Sequence, residues 1–425
     1  MKRNIKKLLL LVWCFVLIYG TLLPFNFKIP VNFNLFNILS FLSTSIKISK
    51  SDFVFNILIF IPFGYLFSMV NKDKIGNQTR LFLALVFINI LFSFLLELSQ
   101  VFLPTRSAAV SDIIAQIVGG IIGYILFIKY DEILSQFFTI KLLTSNKIKV
   151  LIYIYSMVLL VYGILPGDIS ISPVFIYHKW KKGLVKFIPF YHDSLAIILH
   201  NFSSQFILYI PLGLLLSLYY RKFPKNIIIL RAVLFSGLIS LFIEFMQLFA
   251  NYHVTDIGEV LASICGAGFS SYIYISQAKF LQKYINIFII CLFIIIYGFY
   301  PYTFSIKLVE KFATISFIPL SIYCNMPFFL AIESIVHKLL FFAILGFCIA
   351  FYNKNNSIKK LCFLAILFSM IISILLMIGQ LFIKSRIFDV SDPIIAILGA
   401  AIGVLIYEVF IFSSTDQKLV YNCVF

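Results

Sequence analysis

Residues 97–119 read ELSQVFLPTRSAAVSDIIAQIVG, and the stretch returns twice: as EFMQLFANYHVTDIGEVLASICG at 244–266 and as MIGQLFIKSRIFDVSDPIIAILG at 377–399. Glu97, Glu244 and Met377 stand first, and Gln100, Gln247 and Gln380 follow three residues later. Six residues on come Arg106, His253 and Arg386, and six beyond them Asp112, Glu259 and Asp392. Gly119, Gly266 and Gly399 close the copies with no insertion between. Polar positions recurring in register over this length mark an internal repeat.

Upstream of each copy the register continues. A Gly-containing segment reads Phe60-Ile61-Pro62-Phe63-Gly64, then Tyr209-Ile210-Pro211-Leu212-Gly213, then Phe342-Ala343-Ile344-Leu345-Gly346. Eight residues before those glycines stand Asn56, Gln205 and Lys338. Earlier still comes a Tyr-Gly pair with a nearby proline: Tyr19-Gly20 with Pro24, Tyr162-Gly163 with Pro166, Tyr297-Gly298 with Pro301. Three units are therefore expected, over residues 1–145, 146–280 and 281–425.

The 425 residues are 62% hydrophobic and 12% charged. Soluble domains carry about 25% charged residues, so a polar shell around a soluble core is out of reach. Apolar runs recur at close to the ~20 residues that span a bilayer as helix. They lack the alternation of a barrel strand, and lipid leaves the backbone no other partner than its own helix. The expected fold is all-α: a polytopic membrane protein of about twelve transmembrane helices, four per unit. The spans fall at about residues 8–24, 53–70, 81–103, 112–128, 148–166, 195–220, 231–250, 257–275, 285–301, 328–352, 361–383 and 392–412. The N-terminal run has no small-x-small cleavage site, and segments of its kind return in the second and third units.

The net charge is +17. With the N-terminus in the cytoplasm, basic residues concentrate on the inner side, as the positive-inside rule requires. Both termini are then cytoplasmic. The short basic loops suit anionic lipid rather than nucleic acid. Seven cysteines and five histidines show no metal-ligand spacing, so no metal and no cofactor are expected.

Each third helix carries a polar stripe at i, i+4, i+8 and i+11: Asn89, Ser93, Glu97 and Gln100 in the first unit, Ser236, Ser240, Glu244 and Gln247 in the second. Each fourth helix answers with an acid and small residues, such as Asp112, Gln116, Gly119 and Gly123. The expectation is a third–fourth helix hairpin with these faces together, small residues allowing close approach. A carboxylate pair and a cation then meet at the outer membrane boundary. Two readings stay open for the stripe, helix adhesion and a ligand site, because ionisable groups in spans point to function. Lys338 is expected to snorkel to the interface, and the loop Trp180 to Lys186 to lie there as an amphipathic piece.

Phe-Ile-Pro-Phe-Gly, then Glu-x-x-Gln, then Arg and Asp six apart, then Gly-x-x-x-Gly resembles the VanZ family. The resemblance implies a bacterial cell-envelope membrane protein, and the founding member gives low-level teicoplanin resistance. The family commonly has an acid three residues after the Arg; here that position holds Ala109, Asp256 and Asp389. The second unit has His253 for Arg and Glu259 for Asp; the third has Met377, Ile344 and Lys338 for Glu, Pro and Asn. The first unit thus carries most weight as a site.

The ligand-binding candidates are Asn56, Glu97, Gln100, Arg106, Asp112, Glu244, Gln247, His253, Asp256, Glu259, Gln380, Arg386, Asp389 and Asp392. Their expected partners are the lipid bilayer and an amphiphile, either a lipid-linked envelope precursor or a lipoglycopeptide. The alternatives are a membrane-embedded enzyme with Glu97 or Asp112 as general base, and a transporter built from parallel repeats.

Overall fold

The computed structural model describes residues 3–29, 50–104, 108–139, 145–164, 169–190, 193–251, 253–276, 280–304, 317–324, 326, 328–354, 356–383, 386 and 388–409. The chain forms two compact bodies, Met1–Ile140 and Lys141–Phe425. The first holds one four-helix unit and the second holds two.

The first body contains α1 (Arg3–Leu22), α2 (Lys50–Ile75), α3 (Gln78–Gln100) and α4 (Val110–Thr139). Asn77 starts α3 by accepting the backbone N–H groups of Thr79 and Arg80 at 2.8 and 3.2 Å, a cap that supplies otherwise orphaned donors. In the second body the next unit comprises α5 (Ser145–Ile164), a short α6 (Pro173–Lys181), β1 (Val185–Lys186), α7 (Leu195–Tyr219), α8 (Lys225–Gln247), β2 (Thr255–Asp256) and α9 (Ile257–Ile275). The last unit comprises α10 (Phe280–Phe299), the one-turn α11 (Ser321–Cys324), α12 (Phe328–Tyr352), α13 (Ile358–Gln380) and α14 (Ser391–Tyr407).

Twelve long helices thus occupy the twelve expected places. Among the described residues, nine are long and apolar enough to cross a membrane. The other three are α1, α9 and α14; α9 carries Glu259 and several Ser and Gly residues, and α14 is described for 17 residues.

The third and fourth helices pair through their polar faces as expected, but the small residues of the fourth helix face the second helix rather than the third. A Cβ on Gly64 would lie 2.0 Å from the Gly120 carbonyl oxygen, and one on Gly119 would lie 2.3 Å from that of Ile57. The same happens in the other units: Gly266 meets the Phe206 carbonyl at 2.1 Å, and Gly399 meets that of Leu339 at 2.6 Å. Backbone touches backbone there, so only glycine fits. The third helix meets the fourth through polar groups instead. Asn89 Nδ2 donates to the Gln116 carbonyl at 3.2 Å, and Ser240 and Ser263 hydroxyls meet at 3.0 Å.

The prolines in α2 and α7 loosen the helix on their N-terminal side. In both units an aromatic donor from the first helix takes up the carbonyl three residues before the proline. Trp13 Nε1 donates to Ile59 O at 3.0 Å and Tyr155 OH to Leu208 O at 2.7 Å.

Candidate functional site

The glutamines at the ends of the third helices do one job three times. Gln100 Nε2 donates to Thr21 O at 3.2 Å, Gln247 Nε2 to Gly163 O at 2.9 Å and Gln380 Nε2 to Gly298 O at 3.0 Å. Each pins the end of the first helix, where the last carbonyls lack an intrahelical partner. The Tyr-Gly motif of the first helix is the other half of this contact.

The glutamates three residues earlier latch the loop that enters the fourth helix. Glu97 Oε2 accepts Ala109 N–H at 3.1 Å while its Oε1 accepts Gln116 Nε2 at 3.1 Å. Glu244 Oε2 accepts Asp256 N–H at 2.8 Å. Ala109 and Asp256 are equivalent positions, so the latch repeats. Met377 has no carboxylate to offer, and the third unit relies on Asp389 instead. Asp389 Oδ1 accepts both the backbone N–H of Ser391 at 2.8 Å and its hydroxyl at 2.5 Å. Asp256 likewise accepts Gly258 N–H at 2.7 Å. Both aspartates therefore sit at the start of a fourth helix, where negative charge is favoured. Burial pushes the Asp256 carboxyl above the usual range, with the Gly258 N–H and the Lys186 ammonium opposing it. Asp389 is raised for the same reason and opposed by its bonds from Ser391.

The second-helix polar position faces the acid of the fourth helix. Gln205 Nε2 donates to Glu259 Oε2 at 2.5 Å. Lys338 Nζ donates to Asp392 Oδ1 at 2.5 Å and to Tyr323 OH at 3.0 Å. Lys338 and Asp392 side chains are only 16% and 13% exposed. Lys338 does not snorkel: the carboxylate across the helix pair holds it inside. Asn56 and Asp112 occupy the same two positions in the first unit, and Ser111 Oγ lies 3.5 Å from Asp112 Oδ1. Arg106 lies outside the described residues.

The Trp180–Lys186 segment directly follows a buried lysine. Trp180 and Phe187 are exposed, as an interfacial piece requires, but Lys179 is 2% exposed. Its ammonium caps α8 by donating to the carbonyls of Gln247 and of Ala250, a favourable place for a cation. Burial lowers its pKa, and Glu244 partly restores it. β1 then pairs in parallel with β2, Val185 with Thr255 and Lys186 with Asp256. Lys186 Nζ bonds both Asp193 oxygens at 2.6 Å.

The second and third units meet through equivalent residues. Tyr162, of the second unit, lies within electrostatic reach of Glu333 on α12. Tyr297, its counterpart, stacks on His200 of α7 with ring centroids 4.9 Å apart. His200 and Glu333 each stand five residues before the second-helix polar position. Likewise His253 acts electrostatically on Glu333, and Arg386 on His200. Such reciprocity is the property of an isologous interface. Glu333, Tyr162, His200 and Tyr297 were not singled out as candidates; the clue available in sequence was that Tyr recurs at the end of each first helix.

The VanZ/LLP1 family model matches the chain three times, at residues 8–135, 151–281 and 285–411. No curated protein and no solved structure matches it. With most of its length covered by these three matches, the chain belongs to the VanZ/LLP1 family as a multi-pass membrane protein of three tandem units.

Proposed function

We propose that the protein binds an amphiphilic ligand of the bacterial cell envelope at the outer leaflet, a lipid-linked wall precursor or a lipoglycopeptide such as teicoplanin. The observation that carries this reading is the division of each helix end from its shaft. Polar side chains converge where the third helix ends and the fourth begins, while the shafts expose large apolar residues such as Leu238, Phe242 and Phe245. An apolar wall beneath a charged rim matches the two halves of an amphiphile. Arg106, whose planar fork pairs with phosphate or carboxylate, is the anion contact of the first unit in this reading. The protein resides in the cytoplasmic membrane with both termini inside, and its units run over residues 1–145, 146–280 and 281–425.

Binding is favoured over general-base catalysis because both Glu97 oxygens already accept hydrogen bonds. The test is teicoplanin susceptibility of cells expressing the wild type or Glu97→Ala, alongside binding of fluorescent wall-precursor lipid to the purified protein. Reduced susceptibility or saturable precursor binding, weakened by the substitution, is expected. Neither effect in the wild type would overturn the proposal.

A further inference from the structure

Leu58 on α2, Ile207 on α7 and Leu340 on α12 hold one position of the repeat, six residues before Gly64, Gly213 and Gly346. The register is structural too, because the fourth-helix glycines meet the carbonyls of Ile57, Phe206 and Leu339, the residue before each. In the second body this position is buried across the seam between units. Ile207 is 0% exposed and lies in one hydrophobic cluster with Ile290, Ile294 and Phe341 of the third unit. Leu340 packs in return against the second unit's cluster around Ile152, Leu159 and Leu208. Each unit thus covers its second helix with the other, as an isologous contact requires.

In the first unit the same face is open. Leu58 is 56% exposed. Val54, one turn earlier, is 53% exposed, whereas its equivalent Ser203 is 1% exposed and Val336 is half-buried. The first helix gives a second, independent sign. By the glutamine bonds to Thr21, Gly163 and Gly298, Gly20 stands level with Tyr162 and Tyr297. Those tyrosines reach across the seam, Tyr162 to His337 at 6.0 Å and Tyr297 to His200 at 4.9 Å between ring centroids. A Cβ on Gly20 would meet nothing within 4 Å.

Lipid solvates an apolar helix face well, and helices associate in a bilayer through close packing rather than hydrophobicity. Exposure by itself therefore names no partner; the repeat does. Twice in this chain the face is covered by another unit bearing the same face. The second and third units use theirs on each other, which leaves the first unit of another copy as its counterpart.

We propose that the protein forms a homodimer through its first unit, with α2 of one copy packed on α1 and α2 of the other, as α7 packs on α10 and α12. Leu58 of each copy then takes the place that Ile207 and Leu340 hold in the seam.

The experiment puts the photocrosslinker p-benzoylphenylalanine at position 58 of the full-length chain, in membranes that carry two differently tagged forms. Irradiation is expected to give a dimer band bearing both tags, with the adduct mapped to α1 or α2 of the second copy. The same group at Phe87, whose equivalents Leu234 and Leu367 are exposed as well, is expected to give little or none. Adducts confined to residues 141–425 of the same chain, to another protein or to lipid overturn the proposal, as does an equal yield from position 87. Leu58→Ala, which adds no bulk, is expected to weaken the purified dimer roughly tenfold, the scale of a central interface contact, with Phe87→Ala unchanged. A wild type that is monomeric by mass photometry at every concentration, or a dimer indifferent to Leu58→Ala, overturns it as well.

Discussion

Removing the Lys338 ammonium is the sharpest perturbation of the helix pairing. In Lys338→Met the Asp392 carboxylate keeps its buried place and loses its cation. Both side chains are more than four-fifths shielded, so water repays little of the loss. Breaking one partner of such a pair costs about 3–5 kcal/mol, whereas replacing both with apolar or neutral groups is often close to neutral. Lys338→Met should therefore unfold far more readily than wild type, by a factor of roughly a hundred or more in the equilibrium constant. Asp392→Asn should lose a similar amount, because it strands the ammonium with Tyr323 alone. The double variant should recover most of the loss. The assay is a double-mutant cycle on the purified protein in detergent, with unfolding followed by denaturant titration. A coupling energy below about 0.5 kcal/mol, the limit for independent sites, would refute the idea that α12 and α14 are joined by this pair.

Two further outcomes follow from the geometry. Gly64→Ala places a methyl on the Gly120 backbone, forcing α2 and α4 apart at a cost of about 1–3 kcal/mol; Gly20→Ala, with nothing within 4 Å, should gain helix propensity of up to about 1 kcal/mol. Equal thermal midpoints for the two variants would contradict the close approach. For Asp256, burial raises the folded pKa above its unfolded value of about 3.9. Its contribution to stability is therefore complete below that value and is lost as pH rises through the folded pKa. Asp256→Asn keeps an acceptor for Gly258 N–H and should flatten the stability profile above about pH 4; an unchanged profile would show that Asp256 is not the group titrating.

The repeat, the membrane character and the helix count were legible because they depend only on position along the chain. Apolar length sets a span, and register among Glu97, Glu244 and Met377 sets the units. The stripe spacing likewise told which residues share a helical face. It could not tell which neighbour that face meets. Gly119 and Gly123 read as a packing surface in sequence, but only the tertiary structure gave them α2 rather than α3. Lys338 shows the same limit: a lysine stem near a helix end reaches either water or a carboxylate, and Asp392, far along the chain, decides between them. Gln100 reads in sequence as a ligand-binding candidate, and the fold adds a partner that spacing does not show, Thr21 O opposite its amide.

The amino-acid order alone determined that this chain makes three similar bundles of bilayer-length helices, because hydrophobic length and polar register are properties of the single strand. Only the fold decided that equivalent residues of the second and third units face each other with unequal charge. Coulombic balance depends on distance in space, and no spacing along the chain encodes that.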